Sequence, residues 1–260
     1  MQDDDAYGPT GAHYCDCAFD LFRSRSGDLD FYRGLAREAG GPVLELGCGT
    51  GRVLLPITQD GIACVGLDPS EAMLEELRRK DPPDNLRLVT GRMQDFDLGP
   101  DRFALIFSAF RAFQHLLTVE DQLACLAAVR RHLAPGGLFA FDVFAPKLER
   151  IAQFEEPEFE EARWREADAE IVRFTSVTRD PASQISEVTF RYERRREGSP
   201  PESQSVRTRM RHFFRYELEH LLARAGFADI EVLGGFDRRP FDYFSGETVI
   251  LAKESANADS

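Results

Sequence analysis

The stretch VLELGCGTGR, Val43 to Arg52, runs from a short apolar run into glycines at 47, 49 and 51. Such a run before a glycine cluster reads as a buried strand ending in a tight turn. Glycines at alternate positions let the backbone approach a ligand with no Cβ in the way. What the turn lacks narrows the ligand. A nucleoside triphosphate loop closes on Gly-Lys-Ser/Thr, and Gly51-Arg52-Val53 supplies neither the lysine nor the hydroxyl. The dinucleotide fingerprint needs its third glycine at position 52, where Arg52 stands instead.

Outward from this turn, residues 42–144 alternate short apolar runs with amphipathic stretches. Strands are expected at PVLELG (42–47), CVGLD (64–68), LRLVTG (86–91), FALIFSAF (103–110) and GLFAFDVF (137–144). Helices are expected near Gly51, after Ser70 and after Thr118. Ser70 precedes EAMLEELRRK, with acids early and bases late as the helix dipole favours, and Thr118 has Asp121 three residues on, close to a capping box. This alternation specifies βαβ units, hence a parallel sheet covered on both faces.

After Phe144 the period changes to two. Val188, Phe190 and Tyr192 share one face of QISEVTFRYERRR, and Val206, Thr208, Met210, His212 and Phe214 share one face of SVRTRMRHFF. An antiparallel meander is therefore inserted after the fifth strand. The chain returns to helix in YELEHLLARAGF (216–227) and closes with IEVLGGF and TVILAKE, a hairpin with a short connection at the sheet edge. The expected organisation is an N-terminal cap segment over 1–29, a ligand-binding domain over 30–146 and 215–254, an inserted β-rich lid over 147–214, and a disordered tail over 255–260.

At 260 residues and 43% hydrophobic, the chain can bury one sizeable core. It has no apolar run long enough to span a bilayer and no basic, apolar leader, so a cytoplasmic, membrane-free protein is expected. Five scattered cysteines argue against a disulfide framework, and the Cys15-x-Cys17 pair lacks further ligands, so no metal is expected. A net charge of -13 argues against nucleic acid. Between Arg163 and Arg215, however, 12 arginines face 8 acids. They either pair with glutamates on the wet face of strands or line a site for an acidic small substrate. Free edges on the inserted sheet offer pairing across a homodimer axis.

A ligand with ribose and adenine but no phosphate remains, and S-adenosylmethionine fits. Glu45 brings a carboxylate towards its positive methionine end, and Asp68, 21 residues after Gly47, ends the second strand where a carboxylate accepts ribose hydroxyls. VLELGCGTGR, GLDPSEAM, VTGRMQDF, FALIFSAF, HLAPGGLFAFDVF and LLARAGF together resemble the class I S-adenosylmethionine-dependent methyltransferases over about residues 30–144 and 215–253. The insertion resembles the antiparallel lid of the small-molecule members. The resemblance implies a Rossmann-like α/β fold, a seven-stranded, mostly parallel sheet of order 3-2-1-4-5-7-6 with helices on both faces. It implies S-adenosylmethionine as cofactor, with S-adenosylhomocysteine as product. Glu45, Gly47, Cys48 and Gly49 would surround the methionine part, Asp68 and Pro69 the ribose and adenine edge, and Met73 and Met93 the ring. Phe107 would follow the fourth strand into the site and Tyr14 would lie over the cofactor. Arg92 stands where many relatives place an adenine-binding aspartate; Gln94 or Asp95 would have to replace that acceptor.

Methyl transfer asks for alignment more than for activation. An oxygen acceptor gains from a general base, and His115 and His212 are the candidates, with packing histidines as the plain alternative. Arg111 at the mouth of the fourth strand is the candidate anchor for a substrate carboxylate or phosphate, with a salt bridge as the alternative. Phe110, Phe113 and Trp164 are candidate pocket walls, with core packing as the alternative. The expected activity is methylation of a nitrogen or oxygen on a small molecule. The alternatives are a cofactor-binding regulator without turnover, a protein methyltransferase, or a nicotinamide-binding oxidoreductase.

Overall fold

The computed structural model describes residues 7–23 and 27–254, the side chains of 17–23 excepted. The stretches 1–6 and 255–260, expected to lie outside the fold, and the Cys17 thiol are outside the described residues.

Helices α1 (Pro9–Arg23) and α2 (Asp28–Ala39) precede the glycine turn. Five strands then alternate with helices: β1 (Val43–Leu46), α3 (Leu54–Gln59), β2 (Cys64–Asp68), α4 (Glu71–Arg79), β3 (Leu86–Thr90), β4 (Phe103–Ser108), α5 (Val119–His132) and β5 (Leu133–Phe144). A 3-10 segment, Ala112–His115, follows β4. The capping residues act as the sequence asks: the Ser70 hydroxyl accepts the Met73 N–H at 3.1 Å and the Thr118 hydroxyl accepts the Asp121 N–H at 3.1 Å. Neither α1 nor α2 is marked by such signals.

After the short α6 (Leu148–Ile151) comes a separate antiparallel sheet of β6 (Glu155–Glu166), β7 (Ala169–Asp180), β8 (Ile185–Arg195) and β9 (Glu202–Arg211), in that order. The chain closes through α7 (Arg215–Arg224), β10 (Phe227–Leu233) and β11 (Glu247–Glu254). The main sheet has the order β10-β11-β5-β4-β1-β2-β3, with β1 parallel to β2 and β4, and β11 antiparallel to both β5 and β10. This is the expected 3-2-1-4-5-7-6 order once the four lid strands are set aside. The connection from β10 to β11, residues 234–246, is longer than the short link expected.

Central β1 is buried along its whole length, whereas edge strand β3 is half exposed. One core cluster packs α5 and α7 on one face of the sheet, through Leu126, Val129, Leu218 and Leu222; another packs α2, α3 and α4 on the opposite face, through Leu35, Ile57 and Leu77. The carboxyl ends of β1, β2, β4 and β5 thus converge on one edge, where ligands of open α/β sheets bind.

The lid arginines follow the first of the two readings. Arg163, Arg191, Arg194 and Arg196 pair with Glu160, Glu158, Glu166 and Glu202 at 2.6–2.8 Å. The two lid edges differ. β6 carries Pro157, five glutamates between 155 and 161, and two register shifts, features that block strand addition. β9 lies against the 3-10 segment, its Arg209 and Arg211 carbonyls bonded to His115 and Gln114.

Candidate active site

The glycine turn is built as a cradle. Gly47, Gly49 and Gly51 have φ of 76°, 52° and 83°, a region L side chains rarely adopt. The N–H groups of Gly47 and Cys48 both donate to the Leu67 carbonyl at 2.7 and 3.1 Å, fastening the turn to β2. A Cβ at Gly47 would lie 2.8 Å from the Ala112 Cβ, while one at Gly49 would meet nothing within 4 Å. Close packing therefore demands the first glycine, and open space lies over the second.

Asp68 is 7% exposed and takes the Gly49 N–H on Oδ2 and the Ser70 N–H on Oδ1, both at 2.8 Å. Burial raises its carboxyl above the ordinary range while these two donors pull it down. Glu45 is 3% exposed, and its Oε2 has no hydrogen-bond partner. Burial pushes its carboxyl well up, Arg52 acting the other way and Asp68, Asp142 and Asp28 adding to the rise. Arg52 takes no dinucleotide role: it pairs with buried Asp28 at 2.5 Å and lies over the Phe110 ring, 5.4 Å from its centroid. Met73 and Met93 are buried, and Met93 Cε lies 3.7 Å from a Cβ built at Gly47. The Cys48 thiol lies under the turn against Gly66. Pro69 and Arg92 are exposed and Gln94 is half-buried. Phe107 departs from expectation: it is fully buried and stacks on Tyr32 at 4.8 Å, a core ring with no free face for a ligand.

Helix α1 closes over this cradle. Thr50 Oγ1 donates to Asp16 Oδ1 at 2.6 Å, Lys80 Nζ bridges Asp16 Oδ2 (2.6 Å) and the Thr50 carbonyl (2.7 Å), and the Ser70 hydroxyl donates to the Tyr7 carbonyl. Tyr14 faces the lid, stacked on Tyr192 at 4.6 Å with its edge towards Trp164 at 5.8 Å, so two expected site residues belong to one α1–lid cluster. A cleft of about 420 Å³ lies between α1 and strands β8 and β9; none of its lining residues belongs to the glycine turn.

On the acceptor side the two candidate histidines part company. His115 is half-buried, with Nε2 2.6 Å from the Tyr7 hydroxyl and Nδ1 3.0 Å from the Arg209 carbonyl. A carbonyl only accepts, so Nδ1 carries the proton and Nε2 accepts from Tyr7. Burial lowers the His115 pKa, opposed by the Arg209 carbonyl, and burial raises that of Tyr7. His212 lies elsewhere, with Nε2 2.5 Å from Ser186 Oγ, its ring edge-on to Phe144, and Nδ1 without a partner. Burial and nearby Arg179 lower its pKa. Arg111 pairs with Glu247 at 2.9 Å over the Phe144 ring, the salt-bridge reading of that residue. Tyr7, Asp28, Tyr32 and Asp142 are site neighbours the sequence reading passes over.

The sheet order and the separate antiparallel sheet agree with the comparisons. Residues 43–137 match a family model described as a methyltransferase domain. The chain is 36% identical over 109 residues (42% of this chain, 44% of the other) to the dTDP-3-amino-3,4,6-trideoxy-alpha-D-glucopyranose N,N-dimethyltransferase of Streptomyces venezuelae. It is 26% identical over 146 residues (56% and 59%) to a cypemycin N-terminal methyltransferase from Streptomyces. The chain spans about half the length of the curated relatives it matches. Among solved structures, the CcbJ methyltransferase from Streptomyces caelestis is 28% identical with a TM-score of 0.80, over 98% of this chain and 100% of that one. CalS10, an amino pentose methyltransferase from Micromonospora echinaspora solved with bound S-adenosylmethionine, shares the fold at 24% identity and a TM-score of 0.73, over 94% and 97%. Residues 43–137 thus carry a methyltransferase domain, and the fold, with its glycine turn and lid-like sheet, is that of the Rossmann-like methyltransferases to which the chain is similar.

Proposed function

We propose that the chain methylates an amine nitrogen on a small, sugar-like acceptor, with the inserted sheet acting as lid over that acceptor. The observation that carries the reading is the buried carboxylate set at the carboxyl edge: Asp28, Glu45, Asp68 and Asp142 are each at most 7% exposed. That environment suits a sulfonium cofactor and an acceptor arriving as an ammonium, and disfavours an acidic one. The names of the sugar N,N-dimethyltransferase relatives point the same way.

The residues present fit the cofactor. Open space over Gly49, the unpartnered Oε2 of Glu45 and the carboxylate of Asp68 would hold its backbone-contacting, cationic and ribose parts, with Met73 and Met93 beside them. Bound there, S-adenosylmethionine supplies a methyl group on a positively charged sulfur that leaves without further activation. The chain orients and dries the site: α1 and the lid cover it, and the neutral His115 ring holds the Tyr7 phenol by its O–H. This pair would take the proton an ammonium must lose before its lone pair can attack, Tyr7 passing it to Nε2.

Calorimetric titration with S-adenosylmethionine, S-adenosylhomocysteine and NAD, beside Asp68→Ala, tests the cofactor site. Binding of the first two that weakens at least tenfold in the variant, with NAD silent, is the expected result. Amines, nucleotide-linked amino sugars among them, are then screened against matched alcohols for S-adenosylhomocysteine formation. Turnover on alcohols alone would move the acceptor to oxygen, and binding without any turnover would make the chain a regulator.

A further inference from the structure

The turn between β4 and the 3-10 segment is strained and is held at two points. Phe110 and Arg111 follow one another in the left-handed region, φ 54° and 68°, which L residues keep only where their surroundings over-determine it. At the front, Asp142 Oδ1 accepts the Phe110 N–H at 2.9 Å and the Tyr32 hydroxyl at 2.7 Å. At the rear, the Gln114 amide accepts the Phe144 N–H at 3.1 Å and donates to the Arg211 carbonyl at 2.6 Å, so one side chain spans main sheet and lid. Asp142, Gln114 and Tyr32 are all fully buried. His115 is the next residue along.

We propose that Asp142 and Gln114 are positioning residues that clamp this turn and thereby present the His115 ring to Tyr7. The inference deepens the methyl-transfer reading and rests on it for the purpose of that ring. Asp142 accepts the Phe110 N–H of the left-handed pair, and Tyr32 fixes the carboxylate from α2. Gln114 ties the end of the turn to β5 and β9 together, so the ring meets the Arg209 carbonyl only while sheet and lid are in register. With the clamp released, the turn relaxes, Nδ1 loses that carbonyl, and the imidazole proton is no longer fixed.

The test uses the full chain with ¹⁵N-labelled histidine and S-adenosylhomocysteine as the bound probe, comparing Asp142→Leu with Asp142→Asn, which keeps an Oδ1 acceptor. In the wild type and in Asp142→Asn, His115 is expected in a single Nδ1–H tautomer. In Asp142→Leu the tautomers are expected to average and the Phe110 amide to exchange at least tenfold faster. Adding Arg111→Gly, which removes the Cβ penalty at one left-handed position, is expected to restore the tautomer in part. A fixed tautomer in Asp142→Leu overturns the proposal. So does equal damage in Asp142→Asn, because charge and not geometry would then be what position 142 supplies. Where Asp142→Leu does not fold, Tyr32→Phe and Gln114→Met carry the reading, and an unchanged His115 in both overturns it. Failure of the wild type to bind S-adenosylhomocysteine bears instead on the methyl-transfer reading, since the tautomer is read without it.

Discussion

Glu45, which we propose meets the cofactor, has a carboxyl that burial has already pushed towards its neutral form. A raised carboxyl keeps its proton between the ordinary carboxylate range and its own higher value. Its contribution to stability is complete below the ordinary pKa and is lost as pH rises through the raised one. A cation placed beside it favours the ionised form. Binding of S-adenosylmethionine should therefore release a proton, so the binding enthalpy differs between phosphate and Tris near neutral pH, and Glu45→Gln abolishes the difference while flattening the alkaline fall in melting temperature. Equal enthalpies for the wild type in both buffers would sink the idea. Glu45, Gly47, Gly49 and Asp68 are legible in the sequence because they lie within one strand-turn-helix-strand unit, where covalent spacing fixes geometry. Tyr7 is not, since its partner is 108 residues away and no periodicity points to it. Phe107 misleads because alternation along a strand says which residues share a face, and not that α2 covers that face.

Helix α1 is bonded to the glycine turn, and its movement is expected to open the cradle. Its hold on the glycine turn is polar and partly exposed: Asp16 is 46% exposed and Lys80 31%. Such bonds contribute about 1 kcal/mol together after solvent screening. Asp16→Ala should then speed dissociation of S-adenosylhomocysteine about fivefold in stopped-flow, with a much smaller change in association; an unaltered off-rate would show that the cofactor leaves by another route. Helices α4 and α5 are readable from their caps, Ser70 and Thr118, and the strands of the main sheet from their apolar runs. Strand β6 is not readable as one. Its sequence, EEPEFEEARWRE, carries charge on both faces and a proline, and it is extended only because β7 offers a partner edge, with shifts after Glu156 and Glu160. Lid arginines look like a cationic lining until the glutamates of that same strand are set beside them.

Across the molecule, the main sheet and the lid have separate apolar clusters of unequal size. Ile250, fully buried between β10 and β5, belongs to the larger, and Ile250→Ala should cost about 2–5 kcal/mol and lower the melting temperature by roughly 5–15 °C. Ile171 belongs to the five-residue lid cluster, and Ile171→Ala should instead quicken amide exchange in β6–β9 while β1, β4 and β5 stay protected. Equal losses of global melting temperature would mean one cooperative unit. The lid also has an even number of strands. Because β6 to β9 alternate in direction, the chain enters and leaves that sheet at the same end, about 14 Å apart over three strand spacings. Once its local hairpins have formed, the insertion closes a short gap, so pairing β5 with β11 carries little of the loop entropy that its length would otherwise impose. Any sheet with an even strand count would return the chain to the same place, which makes this segment an exchangeable cassette through which one methyl-transfer core can be fitted to new acceptors.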